Sequence, residues 1–117
     1  MLEDTRLRVF DAVVRMGSFT QAARELGISQ SAVSQNIAEL ERLTGCELLV
    51  RARGSVTLTE KGRLFHSYAR NILYWYDVMD AVVVRGDRPA PQPLRLELGD
   101  RAAELSSLDG QITIKLL

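Results

Sequence analysis

The apolar positions change period several times along the chain, and each change marks a new element. Ala22, Ala23 and Leu26 give one segment a thin apolar face of small residues, which lets a neighbouring helix approach closely. Ser18 can cap that helix while Gln21 reaches back from three positions on, so the helix starts near Phe19, and Gly27 supplies its left-handed stop. Ser29 then caps a second helix, predicted over residues 30–44. Its Val33, Ile37, Leu40 and Thr44 recur at spacings of four, three and four and face inward, and Gly45 ends it. Two short amphipathic helices joined across one glycine-marked turn are a helix-turn-helix signature.

Beyond Gly45 the period shortens. Glu47 to Arg51 and Ser55 to Leu58 read as two short strands around Ala52-Arg53-Gly54, where the glycine permits a tight reversal. The hairpin is a wing, so residues 1–62 are predicted as a winged helix-turn-helix. Thr59 can cap a long helix running to about Val84, roughly 39 Å at about 1.5 Å per residue. Gly86 and the prolines Pro89, Pro91 and Pro93 stop it, leaving residues 59–86 as a linker helix and 87–93 as a proline-rich connector. Phe65, Tyr68, Ile72, Trp75, Met79 and Val82 form a heptad seam along it, which argues for helix pairing. Phe65 and Tyr68 could instead pack on the winged helix, but Trp75, Met79 and Val82 have no partner in so short a chain.

Residues 94–117 read as a short β-containing appendage. Leu94, Leu96 and Leu98 alternate with Arg95 and Glu97, and Ile112, Ile114 and Leu116 alternate with Thr113 and Lys115, as in half-buried strands. Residues 100–108 between them read as a short helix, with Asp109-Gly110 as a turn. The fold class is therefore mainly α with a small β-wing: a winged helix-turn-helix, a long dimerisation helix and a short C-terminal strand pair.

Candidate chemistry follows from the face that the second helix leaves free. Gln30, Ser31, Ser34, Gln35 and Ala38 lie opposite its apolar stripe, short or amide side chains that can donate and accept at base edges and phosphates. Arg51, Arg53, Lys61, Arg63 and Arg70 against Glu60 give the following stretch a local net charge of plus four, which suits phosphates, and an arginine at a wing tip suits a narrow minor groove. Taken singly, surface arginines more often serve solubility. The whole chain carries fifteen basic and fifteen acidic residues, so attraction to DNA has to come from an uneven distribution of charge, and pairing of two copies matters.

One histidine and one cysteine, far apart, exclude the usual nucleophile, base and metal inventories, and no glycine-rich phosphate loop precedes a helix. The chain is read as no enzyme, with no cofactor and no metal. Cys46 forbids an internal disulfide and reads as a half-buried small hydrophobe, and His66 reads as a surface residue beside the seam. Glu3, Asp4, Arg6 and Arg8 stand where a signal peptide needs an apolar run, and no segment reaches the ~20 apolar residues of a membrane span, so a cytoplasmic, nucleoid-associated protein is expected. Two strands and a helical turn cannot enclose a cofactor-sized pocket, and no small-molecule effector is expected.

Phe10, Gly17-Ser18-Phe19-Thr20-Gln21-Ala22-Ala23, Leu26, Ser29-Gln30-Ser31-Ala32-Val33-Ser34-Gln35, Ile37, Leu40-Glu41, Leu43, Gly45, Leu48, Arg51, Leu58-Thr59 and Gly62 together resemble the DNA-binding domain of LysR-type transcriptional regulators. The sequence departs from the family's usual pattern at Ser31, Leu49 and Lys61. The resemblance implies that the helix over 30–44 is the recognition helix, with Ser18, Thr20, Gln30, Ser31, Ser34, Gln35, Arg51 and Arg53 toward DNA. It also implies that the linker helix pairs with its twin. The target of such a homodimer on double-stranded DNA is an inverted repeat, with the recognition helices in the major groove and the wing, 51–55, on the backbone and minor groove. Another regulator or RNA polymerase is a further candidate partner. Two other readings stay open: a dimeric winged-helix module that acts on another protein, and the DNA-binding fragment of a longer ligand-responsive regulator.

Overall fold

The computed structural model describes residues 5–87, 94–98, 101–108 and 111–117. They fall into two compact units, one ending at His66 and one beginning at Ser67. In the first, three helices, α1 (Thr5–Met16), α2 (Phe19–Leu26) and α3 (Gln30–Thr44), precede a hairpin of β1 (Leu49–Ala52) and β2 (Ser55–Leu58) and the start of α4 (Glu60–Met79).

Local chemistry sets each helix boundary. Ser18 Oγ accepts the Gln21 N–H at 3.1 Å and Ser29 Oγ accepts the Ala32 N–H at 3.0 Å, so each hydroxyl satisfies an amide donor that the first helical turn leaves unpaired. Gly27 (φ 68°) and Gly45 (φ 70°) close α2 and α3 in the left-handed conformation, which side chains resist. Thr59 Oγ1 accepts the Gly62 N–H at 2.9 Å and donates to the Glu47 carbonyl at 2.7 Å, starting α4 and fastening it to the segment before the hairpin.

The core of this unit is built by Val9, Phe10, Ala12 and Val13 from α1, Phe19, Ala22 and Ala23 from α2, Val33, Ile37 and Leu40 from α3, and Leu48 and Leu49. Phe65 packs against it, its ring 5.2 Å from that of Phe10 in an edge-to-face arrangement. The small residues of α2 permit this close three-helix packing, as their spacing predicts. Thr44 differs from expectation: it is exposed, and its hydroxyl donates back to the Leu40 carbonyl at 2.9 Å, so the inward stripe of α3 ends at Leu40. His66 is also not a surface residue. Its side chain is 13% exposed and its Nε2 pairs with Asp11 Oδ1 at 3.0 Å, because the first turns of α4 lie along α1.

In the second unit, α4 continues to Met79 and widens into a turn over Asp80–Val84, where the Arg85 N–H reaches the Asp80 carbonyl five residues back. Gly86 (φ 73°) follows. The remaining strands, β3 (Leu94–Leu98), β4 (Arg101–Leu108) and β5 (Gln111–Leu116), form a three-stranded antiparallel meander in the order β3-β4-β5. Of the helix expected over 100–108, the described part, Arg101–Leu108, is thus a strand. Ala102, Ala103, Glu104 and Leu105 favour a helix locally, but β4 pairs on both edges, and a double ladder of hydrogen bonds outweighs a few tenths of a kcal/mol of propensity per residue. The turn expected at Asp109-Gly110 and the proline connector from 88 to 93 lie outside the described residues. No helix among the described residues is long and apolar enough to cross a membrane.

Candidate nucleic-acid interface

The outward face of α3 carries Gln30, Ser31, Gln35 and Ala38, all exposed, with Ser34 half-buried beside them. Their position follows from the inward stripe, since Val33 and Ile37 are fully buried and the remaining faces of a helix must turn to solvent. Thr20, exposed on α2, donates its hydroxyl to Gln30 Oε1 at 3.3 Å. That contact orients the Gln30 amide and leaves the two N–H groups of its nitrogen to point elsewhere. Ser18 is half-buried, with its oxygen occupied by the cap of α2, so its hydroxyl proton is the group it has to offer.

The hairpin places two arginines differently. Arg51, on β1, lies with its guanidinium carbon 4.1 Å from the centre of the Phe19 ring, a cation–π contact that joins the wing to the start of α2. Arg53 sits at the tip. Ala52 pairs with Ser55, so Arg53 and Gly54 are the two central residues of a two-residue turn, with φ of 41° and 80°. Both angles are positive, as the turns that match strand twist require, and for a non-glycine residue this conformation costs about 1 kcal/mol. Arg51, Arg53, Lys61 and Arg63 are all exposed, and none of them forms an ion pair among the described residues.

The wing is fixed to α3 by Glu41, whose Oε2 accepts the N–H of Leu48 at 2.7 Å and of Leu49 at 3.4 Å. Thr59 N–H in turn donates to the Leu48 carbonyl at 3.0 Å, and Gly62 passes so close to that carbonyl that a Cβ there would overlap it. Across the helices, Arg15 joins Asp11 (2.9 Å) to Glu25 (2.8 and 3.0 Å), and His66 completes the cluster on Asp11. Burial pushes the Asp11 carboxyl up, but hydrogen bonds from His66 and Arg15 outweigh it and hold the group below its ordinary value. Glu25 is also held low, chiefly by its hydrogen bonds from Arg15. Pattern reading finds the polar face of α3 and the wing arginines. It misses the Thr20–Gln30, Arg51–Phe19, Glu41–Leu48 and Asp11–His66 contacts, which join separate elements and leave no trace in periodicity.

Three short helices, a hairpin pinned to the third of them and a polar outward face on that helix define a winged helix-turn-helix protein. The family described as bacterial regulatory helix-turn-helix protein, LysR family, matches residues 5–63, and the chain belongs to that family. It is 46% identical over 68 residues to the nitrogen assimilation regulatory protein nac of Klebsiella aerogenes, covering 58% of this chain and 22% of that protein. It is 40% identical over 79 residues to the transcriptional activator AmpR of Rhodobacter capsulatus, covering 68% and 26%. These relatives are transcriptional regulators rather than enzymes, and the chain spans only about a quarter or less of their length. Among solved structures, the DNA-binding domain of BenM in complex with benA site 1 DNA superposes with a TM-score of 0.66 at 39% identity, covering 72% of this chain and 98% of that one. The DNA complex of the CbnR DNA-binding domain gives 0.66 at 30% identity, covering 74% and 100%.

Proposed function

We propose that this chain binds double-stranded DNA as a homodimer at an inverted-repeat operator and regulates transcription there, with α3 in the major groove and the wing on the backbone and minor groove. The observation that carries this reading is the two-sided character of α3. Val33 and Ile37 anchor one side in the core, while Gln30, Ser31 and Gln35 stand exposed on the other, beside Arg51 and Arg53, which form no ion pair among the described residues. BenM and CbnR, whose DNA-binding domains have been seen on DNA, share this fold. The DNA-facing set is Ser18, Thr20, Gln30, Ser31, Ser34, Gln35, Arg51 and Arg53.

Pairing rests on α4. Tyr68, Ile72, Trp75 and Val82 are 40–55% exposed and follow the heptad spacing, with Met79 between them half-buried. Buried Ala69 and Leu73 occupy another side of the helix, so the seam is a second apolar face that a single copy leaves in water. Two tethered recognition helices make the second half-site contact intramolecular, which raises affinity without new contacts.

Fluorescence anisotropy on duplex from the protein's own upstream region, against a scrambled duplex and across salt concentrations, tests the reading. Expected is a preference for the upstream duplex that persists as salt rises. Gln35→Ala should lower that preference by about 1–3 kcal/mol while the dimer remains. Weak binding equal on both duplexes and lost in modest salt would overturn the reading.

A further inference from the structure

Arg51 holds a position on the wing that a charged residue rarely takes. Residues directly opposite each other in a hairpin share a face, and Leu49 pairs with Leu58 while Arg51 pairs with Val56, so these four lie on one side of the wing. Leu49 is buried, and Val56 and Leu58 pack against the core, which makes this the inward side. The arginine among them stays exposed, with its guanidinium over the Phe19 ring and the guanidinium carbon 4.1 Å from the ring centre. Phe19 itself is 8% exposed and belongs to the core, so packing fixes the ring on which Arg51 rests.

Contact with a ring holds a cation through charge and leaves its hydrogen-bond donors unused. The N–H groups of the Arg51 guanidinium are therefore available to a ligand, and no carboxylate pairs with it among the described residues. Arg53, at the tip, differs: it forms neither a ring contact nor an ion pair among the described residues, so its long side chain keeps its rotamer freedom. Fixing a free arginine on a ligand costs that freedom, whereas Arg51 has given it up before the ligand arrives. A planar fork of donors already in place fits an anion with paired oxygens, and on duplex DNA that anion is a backbone phosphate.

We propose that Phe19 is a positioning residue for DNA binding: its ring holds Arg51 ready for one backbone phosphate, so that this pair sets where the winged helix docks, while Arg53 adds charge without fixed geometry. The inference rests on the DNA-binding reading above, and the test separates the two. Binding of the full chain to the upstream and scrambled duplexes is measured by anisotropy across salt for wild type, Phe19→Leu, Arg51→Ala and the double variant. Phe19→Leu keeps the site apolar and removes the ring face. It should weaken both duplexes alike, because a phosphate contact carries no sequence information, by roughly twofold to fivefold per copy. The slope of log K against log salt should stay as in wild type, since the charge remains. Arg51→Ala should shrink that slope by about 2, at ~0.9 per phosphate contact in each of two copies, and leucine at position 19 should then add nothing.

A leucine effect of equal size in the Arg51→Ala background, or one confined to the upstream duplex, would mean that α2 has shifted, and it overturns the proposal. So does a Phe19→Leu protein that binds like wild type. An unchanged slope for Arg51→Ala removes Arg51 from the phosphate and leaves the α3 reading standing. Wild type that binds both duplexes weakly and equally overturns the operator reading and the inference with it. Because Phe19→Leu can also loosen the core, two further readouts leave the core intact. Arg51→Lys keeps the charge and loses the fork, so it should retain the slope and bind both duplexes less tightly, and wild-type affinity overturns the proposal. In the free wild-type protein the Arg51 Nε–H should show an upfield ring-current shift by NMR, and a resonance at the position of a solvated arginine overturns it as well.

Discussion

Gly62→Ala sets two effects of opposite sign against each other. Gly62 lies in the first turn of α4, where alanine is favoured over glycine by about 1 kcal/mol. Its backbone, however, runs against Leu48. An added Cβ would fall inside the van der Waals radius of the Leu48 carbonyl oxygen, 2.8 Å from the carbonyl carbon and 3.2 Å from Cα. The obstacle is backbone, and it cannot step aside: Glu41 holds the Leu48 N–H from α3 at 2.7 Å, and the Thr59 N–H holds the Leu48 carbonyl at 3.0 Å. Relief therefore requires moving the wing away from α4 or breaking one of these bonds. Overpacking costs about 1–3 kcal/mol and a lost hydrogen bond about 0.5–1.5, which together exceed the propensity gain of about 1 kcal/mol and leave a net loss centred near 2 kcal/mol. For a domain of this size that is a fall in Tm on the order of 10 °C by thermal circular dichroism. A Tm that is unchanged or raised would refute the reasoning, since it would mean that Leu48 yields freely and that helix propensity governs the site.

Four further outcomes follow. Glu41→Ala leaves the part-buried Leu48 N–H without its acceptor and should cost about 1–3 kcal/mol in urea denaturation, with faster amide exchange at Leu48; unchanged exchange would argue that the wing is held by other means. Arg53→Asn puts the residue best suited to positive φ before Gly54, so it should stabilise the hairpin by up to about 1 kcal/mol while weakening DNA binding, and a loss of stability would show that the turn is not strained. In the same assay the slope of log K against log salt should shrink by about 2 for Arg53→Ala, at ~0.9 per phosphate contact in each of two copies, and an identical slope would remove Arg53 from the interface. Because the Asp11 carboxyl is held below its ordinary 3.8 when folded, its contribution to stability is present above that value and is lost as pH falls through the depressed one. The stability gap between wild type and Asp11→Asn should accordingly narrow below about pH 3.8, and a gap constant into strong acid would contradict the assignment.

What the sequence discloses and what it withholds divide along the range of the interactions involved. Ser18, Gly27, Ser29, Gly45 and Thr59 act within three or four residues of themselves, and every one caps or closes a helix where its type and position predict. The polar face of α3 is legible for the same reason, being the complement of a stripe with a fixed period. β4 is not, because its own residues favour a helix and only its pairing partners on either side make it a strand. The same holds for Glu41 and His66, whose roles depend on Leu48 and on Asp11, fifty-five positions from His66. Neither spacing nor residue type distinguishes these two from solvated surface side chains.

A net charge of zero and a basic wing are consistent once the acids on the helices are located. On the helices, Asp11 and Glu25 are bound to Arg15, Glu39 to Arg42 with Arg6 at 3.7 Å, and Glu41 to backbone amides at the base of the wing. These carboxylates brace the helices and fix the hairpin to α3, and each spends its charge on a neighbour within the fold. Arg51, Arg53, Lys61 and Arg63 have no such partner among the described residues, so the cations around the wing remain uncompensated although the chain as a whole is neutral. A phosphate backbone responds to that local field rather than to the total, because beyond about 8 Å at physiological salt the distant acids are screened. On the proposed reading, such a surface binds DNA weakly as one copy and gains from a second, so the proposed pairing of α4 would matter as much to function as the side chains of α3.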